Sequence, residues 1–166
     1  MIMSILLKKP LIYLFIGSIG IIIIAAFAGY LGFFSSPDKL ILTGETSLSP
    51  TRIQVNQEST LHISIKNQED RIKEVSFSFN TTNPLVSIHY SNGTSLGKPE
   101  KIGHYYVTTY PVKKLLGKNE GWRVTLIVNA GLLAGDEGSD YSIKVELFGD
   151  GELSDQRIFT LEVNRT

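Results

Sequence analysis

No cysteine occurs in the 166 residues. That absence excludes disulfide staples, cysteine-ligated zinc, iron–sulfur clusters, thiolate nucleophiles and blue-copper centres. Methionine is nearly absent: the two present, Met1 and Met3, precede the first apolar run. A cupredoxin-like site would therefore lack its usual axial ligand as well as its thiolate. No charge of either sign dominates, with 16 basic and 16 acidic residues. Setting aside Lys8 and Lys9 leaves 14 basic against 16 acidic, a net of −2. Nucleic acid needs a concentrated basic surface, so no nucleic-acid partner is expected. Neither a nucleophile elbow, a His-Glu-x-x-His helix, a phosphate loop nor a dinucleotide fingerprint is expected. The reading is of a protein that is not an enzyme and carries no cofactor.

What is present begins with Pro10 to Phe34, 25 residues without a charge. At about 1.5 Å per helical residue such a run crosses the roughly 30 Å hydrocarbon core of a bilayer. Lys8 and Lys9 precede it, and the next basic residues are Lys39 and Arg52. The positive-inside rule then predicts a cytoplasmic N-terminus and an extracytoplasmic C-terminal domain at the cell membrane. Ala26-Phe27-Ala28 has the small-residue pattern of a signal-peptidase site. Cutting there would leave Tyr30, Leu31, Phe33 and Phe34 as an exposed apolar end, so a retained single-pass anchor is the expectation. Ala25 and Gly29, like Ala28 and Gly32, stand four residues apart, the spacing of small residues at a helix–helix contact. The chain is thus expected to divide into a cytoplasmic segment 1–9, a membrane helix 10–34, a linker 35–39 and an outer domain 40–166.

In that outer domain the apolar period becomes two. Leu61, Ile63 and Ile65 alternate with His62, Ser64 and Lys66. Val75, Phe77 and Phe79 follow the same rule, as do Val86, Ile88 and Tyr90. So do Trp122, Val124, Leu126 and Val128; Tyr141, Ile143, Val145 and Leu147; and Phe159, Leu161 and Val163. Each run predicts a strand with one buried face. Leu40–Thr43, Ile53–Val55 and His104–Tyr110 add weaker strands, and Val112–Leu116 reads as a helical turn. Seven to nine short strands in about 129 residues predict an all-β antiparallel sandwich. The last third sharpens this. Gly135 to Asp140 precede Tyr141 and its strand, and Phe148-Gly149-Asp150-Gly151-Glu152 precedes the final one. This resembles the closing hairpin of immunoglobulin-like and fibronectin-III-like surface domains, in which an acidic, glycine-bearing corner precedes a tyrosine opening the penultimate strand. The resemblance implies a fold and carries no function with it.

The candidate sites are few. His62, His89 and His104 are scattered and lack the local pairing of metal ligands. The acidic loops Asp136–Asp140 and Asp150–Asp155 flank one strand and fit no calcium-loop pattern, so no metal is expected. Lys98, Lys101, Lys113, Lys114 and Lys118 stand against Glu100 alone, whereas residues 134–155 hold seven acids and one base. Opposed patches favour docking to a protein partner or head-to-tail contact between copies. Tyr106 and Tyr110, with Lys113 and Lys114, form the candidate partner surface. Asn80 and Asn92 open sequons that an outer domain would expose to glycosylation. The expected function is a non-catalytic, membrane-anchored binding or structural module, an accessory subunit of a membrane or envelope complex. A surface domain that binds carbohydrate or a small solute is the alternative.

Overall fold

The computed structural model describes residues 39–165. The segments 1–9 and 10–34, the helix contact at Ala25, Ala28, Gly29 and Gly32, and all of the linker but Lys39 lie outside those residues. Among the described residues there is no helix. The strands are β1 (Leu40–Leu42), β2 (Ser47–Ser49), β3 (Arg52–Gln54), β4 (Glu58–Asn67), β5 (Lys73–Thr81), β6 (Val86–Tyr90), β7 (Glu100–Ile102), β8 (Tyr105–Thr109), β9 (Lys114–Leu116), β10 (Gly121–Ala130), β11 (Gly138–Gly149) and β12 (Glu152–Asn164). They form two sheets. The first runs β1-β4-β10-β6 with β2 also on β4, and the second β3-β12-β11-β5-β8-β7 with β9 also on β5.

Alternation drives the sheets together. Leu61, Ile63 and Ile65 of β4 and Leu126 and Val128 of β10 point inward from the first sheet. Val75, Phe77 and Phe79 of β5 and Ile143, Val145 and Leu147 of β11 meet them from the second. Burying each such side chain stabilises the fold by about 1.5–3 kcal/mol. Phe77 lies at the aromatic centre. Its ring stacks on Tyr110 at 4.5 Å, meets Phe79 edge-on at 5.6 Å and reaches Trp122 of the opposite sheet at 5.3 Å. The strand order, β1/β2-β4-β10-β6 over β12-β11-β5-β8, is that of immunoglobulin-like sandwiches.

The corner read from the sequence is present. Tyr141 opens the inward series of β11, and its hydroxyl donates to the carbonyl of Gly131 at 2.6 Å. At the other end of β11, Gly149 pairs with Glu152, leaving Asp150-Gly151 as a two-residue hairpin loop. Both have positive φ, 54° and 86°, as a type I′ turn requires.

Three expectations need correction. Among the described residues there are twelve strands rather than seven to nine, because β2, β7 and β9 are three-residue ladders too short to show a period. Val112–Leu116 is no helical turn: Lys114–Leu116 pairs with Lys73–Val75 and completes the edge of the second sheet. The sandwich is not wholly antiparallel, since β3 runs parallel to β12. After Pro50 the chain leaves β4's neighbour β2 and continues along the edge of the other sheet beside its last strand.

Side chains of β12 fasten the first strand, β1, and the turn that follows it. Asp155 accepts the N–H of Leu42 at 2.9 Å, and the Ser154 hydroxyl donates to the carbonyl of Leu40 at 2.8 Å. The Arg157 guanidinium donates to the carbonyls of Thr43 and Thr46, each at 2.9 Å, and of Leu42 at 3.2 Å. Three backbone acceptors in the turn between β1 and β2 are thus satisfied by one planar fork.

A second charged cluster secures the β11–β12 turn. The N–H of Glu74 donates to Asp150 at 3.0 Å, and the largely buried Lys73 ammonium lies 3.3 Å from the other Asp150 oxygen and 3.2 Å from Glu69. The Glu74 hydrogen bond is the chief reason that the Asp150 carboxyl titrates below its ordinary value; desolvation opposes it, and Lys73 and Arg71 add to the lowering. For Glu69, desolvation acts upward, but hydrogen bonds from Arg71 and Lys73 together outweigh it and its pKa is also lowered.

Two predictions follow from these contacts. Tyr141→Phe removes the partner of the Gly131 carbonyl and should destabilise the domain by about 1–2 kcal/mol. Urea unfolding followed through Trp122, the one tryptophan, measures it, and an unchanged midpoint would show that the corner is not holding the fold. Because the folded-state pKa of Asp150 lies below 3.8, its contribution is complete above that value and is lost as pH falls through the lower folded one. Asp150→Asn keeps the acceptor and the turn. It should lower Tm slightly at neutral pH and flatten the fall of Tm below about pH 4.

Candidate functional site

The outer face of the second sheet is shaped by strand parity. With Val75, Phe77 and Phe79 inside, Ser76, Ser78 and Asn80 face out. Ile143, Val145 and Leu147 likewise send Lys144, Glu146 and Phe148 outward. On β8 the inward turn of Tyr110 sends Tyr105, Val107 and Thr109 to the outer face. Register aligns these in rows across the strands: Lys144, Asn80 and Val107; Glu146, Ser78 and Thr109; Phe148 and Ser76. Ile102 stands beside Tyr105 on the edge strand β7. All of them except Lys144 line an open trough of about 380 Å³.

Its floor is polar and its rims are apolar. Tyr105 is 43% exposed and Ile102 54%. Asn80 is only 8% exposed, and its Oδ1 has no hydrogen-bond partner. Among the described residues the hydroxyls of Ser76, Ser78 and Thr109 have no side-chain hydrogen bond either. Lys144 begins beside Asn80 on β11, pairs with Glu146 at 2.5 Å and brings its ammonium to 5.4 Å from the Tyr105 ring on β8. Its stem therefore passes over β5 at Asn80. The outer face of the first sheet is different. There Arg123 pairs with Glu45, the Ser64 hydroxyl donates to Glu45, and His62 meets Thr125. Much of that surface has its polar groups engaged with one another, although His89 Nδ1 and Asn129 Oδ1 on its far side are buried without a hydrogen-bond partner.

The expected partner surface is not assembled as read. Tyr110 is 9% exposed, stacked on Phe77 and 5.8 Å from Trp122, so it belongs to the core. Burial pushes its phenol pKa up, and Tyr90 adds to the shift. Tyr106 shares the inward parity of Tyr110 and lies half-buried under Lys101, 5.9 Å from its ring centre. The tyrosine that reaches solvent is Tyr105. Lys113 pairs with Glu74 at 2.7 Å, Lys114 approaches Glu120 at 3.9 Å and Lys118 meets Asp70, so this basic run is matched locally by carboxylates. Such exposed pairs contribute little stability but reduce the field expected from the lysines.

The remaining candidates also have places. Asn92 is exposed in a turn, where it caps the N–H of Thr94. Asn80, the other sequon residue, is buried in the trough floor, which corrects the expectation of an accessible acceptor. His62 and His89 sit on opposite sides of β10, and His104 lies in the turn between β7 and β8. Gly93-Thr94-Ser95-Leu96-Gly97 does spell Gly-x-Ser-x-Gly, contrary to the expectation of no elbow. The run lies alongside β6 with no helix after it, and the Ser95 hydroxyl accepts the N–H of Gly97 at 3.2 Å. It lacks the strand–turn–helix setting of a nucleophile.

No protein-family model and no curated protein matches the sequence. Similarity to solved structures is at the level of fold. AvmM, described as catalysing macrocyclization in alchivemycin A biosynthesis, superposes with a TM-score of 0.51 at 6% identity, over 78% of this chain and 90% of its own. The Pseudomonas fluorescens alkylpurine DNA glycosylase AlkC bound to DNA gives 0.48 at 10% identity over 76% of this chain. Escherichia coli alpha-2-macroglobulin in its native conformation gives 0.46 at 14% over 77%. This chain spans only 30% of the glycosylase and 7% of the macroglobulin.

Proposed function

We propose that the chain is a non-catalytic binding module held at the outer face of a cell membrane by a single N-terminal helix, as an accessory subunit of a membrane or envelope complex. The observation that carries this reading is the uncharged run Pro10–Phe34, preceded by Lys8 and Lys9 and separated from β1 by the five residues 35–39. Two features of the domain support it. Its histidines and acids are dispersed or engaged in structural contacts, and the Gly-x-Ser-x-Gly run has no helix behind its serine. The second sheet instead presents Ile102, Tyr105, Phe148, Leu153 and Ile158 around polar groups without protein partners. A surface of that kind binds another component rather than transforming it. The small-residue face Ala25, Ala28, Gly29 and Gly32 gives the anchor a means of pairing with a partner helix.

Expression of the full chain tests the arrangement. It should remain with the membrane fraction after alkaline extraction, and protease added outside intact cells should remove the C-terminal domain. Recovery of a soluble product beginning at Gly29 would overturn the anchor. Protection of the domain in intact cells, with digestion only after lysis, would overturn the orientation.

A further inference from the structure

We propose that the trough on the outer face of the second sheet binds a neutral oligosaccharide. This rests on, and deepens, the reading of the chain as an anchored binding module. The argument begins with the backbone. β5 lies between β8 and β11, and its backbone groups are engaged in those ladders. A ligand lying on β5, away from the edge strand β7, would find no free strand edge to extend, so recognition on the trough floor must use side chains. The side chains available are hydroxyls, an amide and aromatic rings. The hydroxyls of Ser76, Ser78 and Thr109 and the Asn80 amide lack protein partners, and the Asn80 oxygen is buried within the floor. A buried acceptor left unpaired is costly, and a ligand hydroxyl would satisfy it. The amide's last torsion is broad, so its oxygen can turn toward such a donor.

Charge narrows the ligand class. The ionised groups at the trough, Lys144 and Glu146, are paired with each other. No cation is left over for a phosphate, sulfate or uronate, and no carboxylate for a basic segment. The complementary ligand is uncharged, rich in hydroxyl groups and apolar on its C–H faces. Those faces suit Tyr105 at one end of the trough and Phe148 at the other. The register separates the two rings by three cross-strand rows, about 20 Å along the sheet. That length suits several linked sugars rather than one. Lys144, lying over β5, is the side chain that such a ligand would move aside.

The test uses the full chain in lipid nanodiscs, titrated calorimetrically with four neutral hexasaccharides: β-1,3-glucan, β-1,4-glucan, mannan and chitin oligomers. At least one should bind. Tyr105→Ala, at an exposed position, should weaken that binding about tenfold. Asn80→Ala should weaken it as well, and His62→Ala on the opposite sheet should leave it unchanged. Circular dichroism establishes that each variant is folded, and Ser78→Ala replaces Asn80→Ala if the latter is not. No binding to any of the four overturns the proposal, as does binding that is indifferent to Tyr105→Ala. Binding confined to a sulfated or uronate-bearing oligosaccharide overturns the neutral-ligand assignment. A protein cross-linked at Tyr105 and Ile102, with no saccharide bound, overturns the ligand class and leaves the anchored-module reading standing. Loss of the chain from the membrane fraction would remove that reading, and the same titration on the full chain in solution would still decide the ligand.

Discussion

Phe77 couples the two faces of the second sheet. Its ring is held against Tyr110, Phe79 and, across the sandwich, Trp122. A strand offers its side chains alternately to opposite faces, so fixing this one residue fixes its neighbours. Ser76, Ser78 and Asn80 face outward because Phe77 cannot. The same holds on β8, where seating Tyr110 beside Phe77 turns Tyr105 to solvent. The core contact and the trough are two consequences of one register. A slip of one residue on β5 would bury three polar side chains and expose two phenylalanines.

Much of this was legible in the chain, for a physical reason. The long strands β4, β5, β10 and β11 bury one face, and burial writes a period of two into the sequence. The Tyr141 corner and the Asp150-Gly151 turn were legible because each depends on a side chain or a backbone freedom that few residues supply. The segment Tyr105–Tyr110 was not. Both of its faces carry a tyrosine and a threonine, so the alternation is visible but its sense is set by Phe77, some thirty positions earlier. The short strands β2, β7 and β9 were illegible for a related reason: they exist by pairing with neighbours, not by their own pattern.

The trough was hidden more deeply. It is assembled from residues 76–80, 102–109 and 146–148, which no local motif joins. Its one sequence signal was misleading, because Asn80-Thr81-Thr82 reads as a glycosylation site. The lysines misled in the opposite way. Lys113 and Lys114 look like a basic patch until Glu74 and Glu120 arrive beside them from other segments. Linear charge counts describe a field only when the partners are also local in sequence.

The junction between β1 and β12 has a mechanical meaning. A three-residue strand would peel from its neighbour one hydrogen bond at a time. Leu40 and Leu42, however, are also tied by Ser154 and Asp155, and the following turn by Arg157, to a strand more than a hundred residues away. A pull applied to the chain at Lys39 is therefore divided between both layers of the sandwich from its first strand onward. The entry strand behaves as a riveted bracket rather than a zipper, and the domain can bear tension without unravelling from that end.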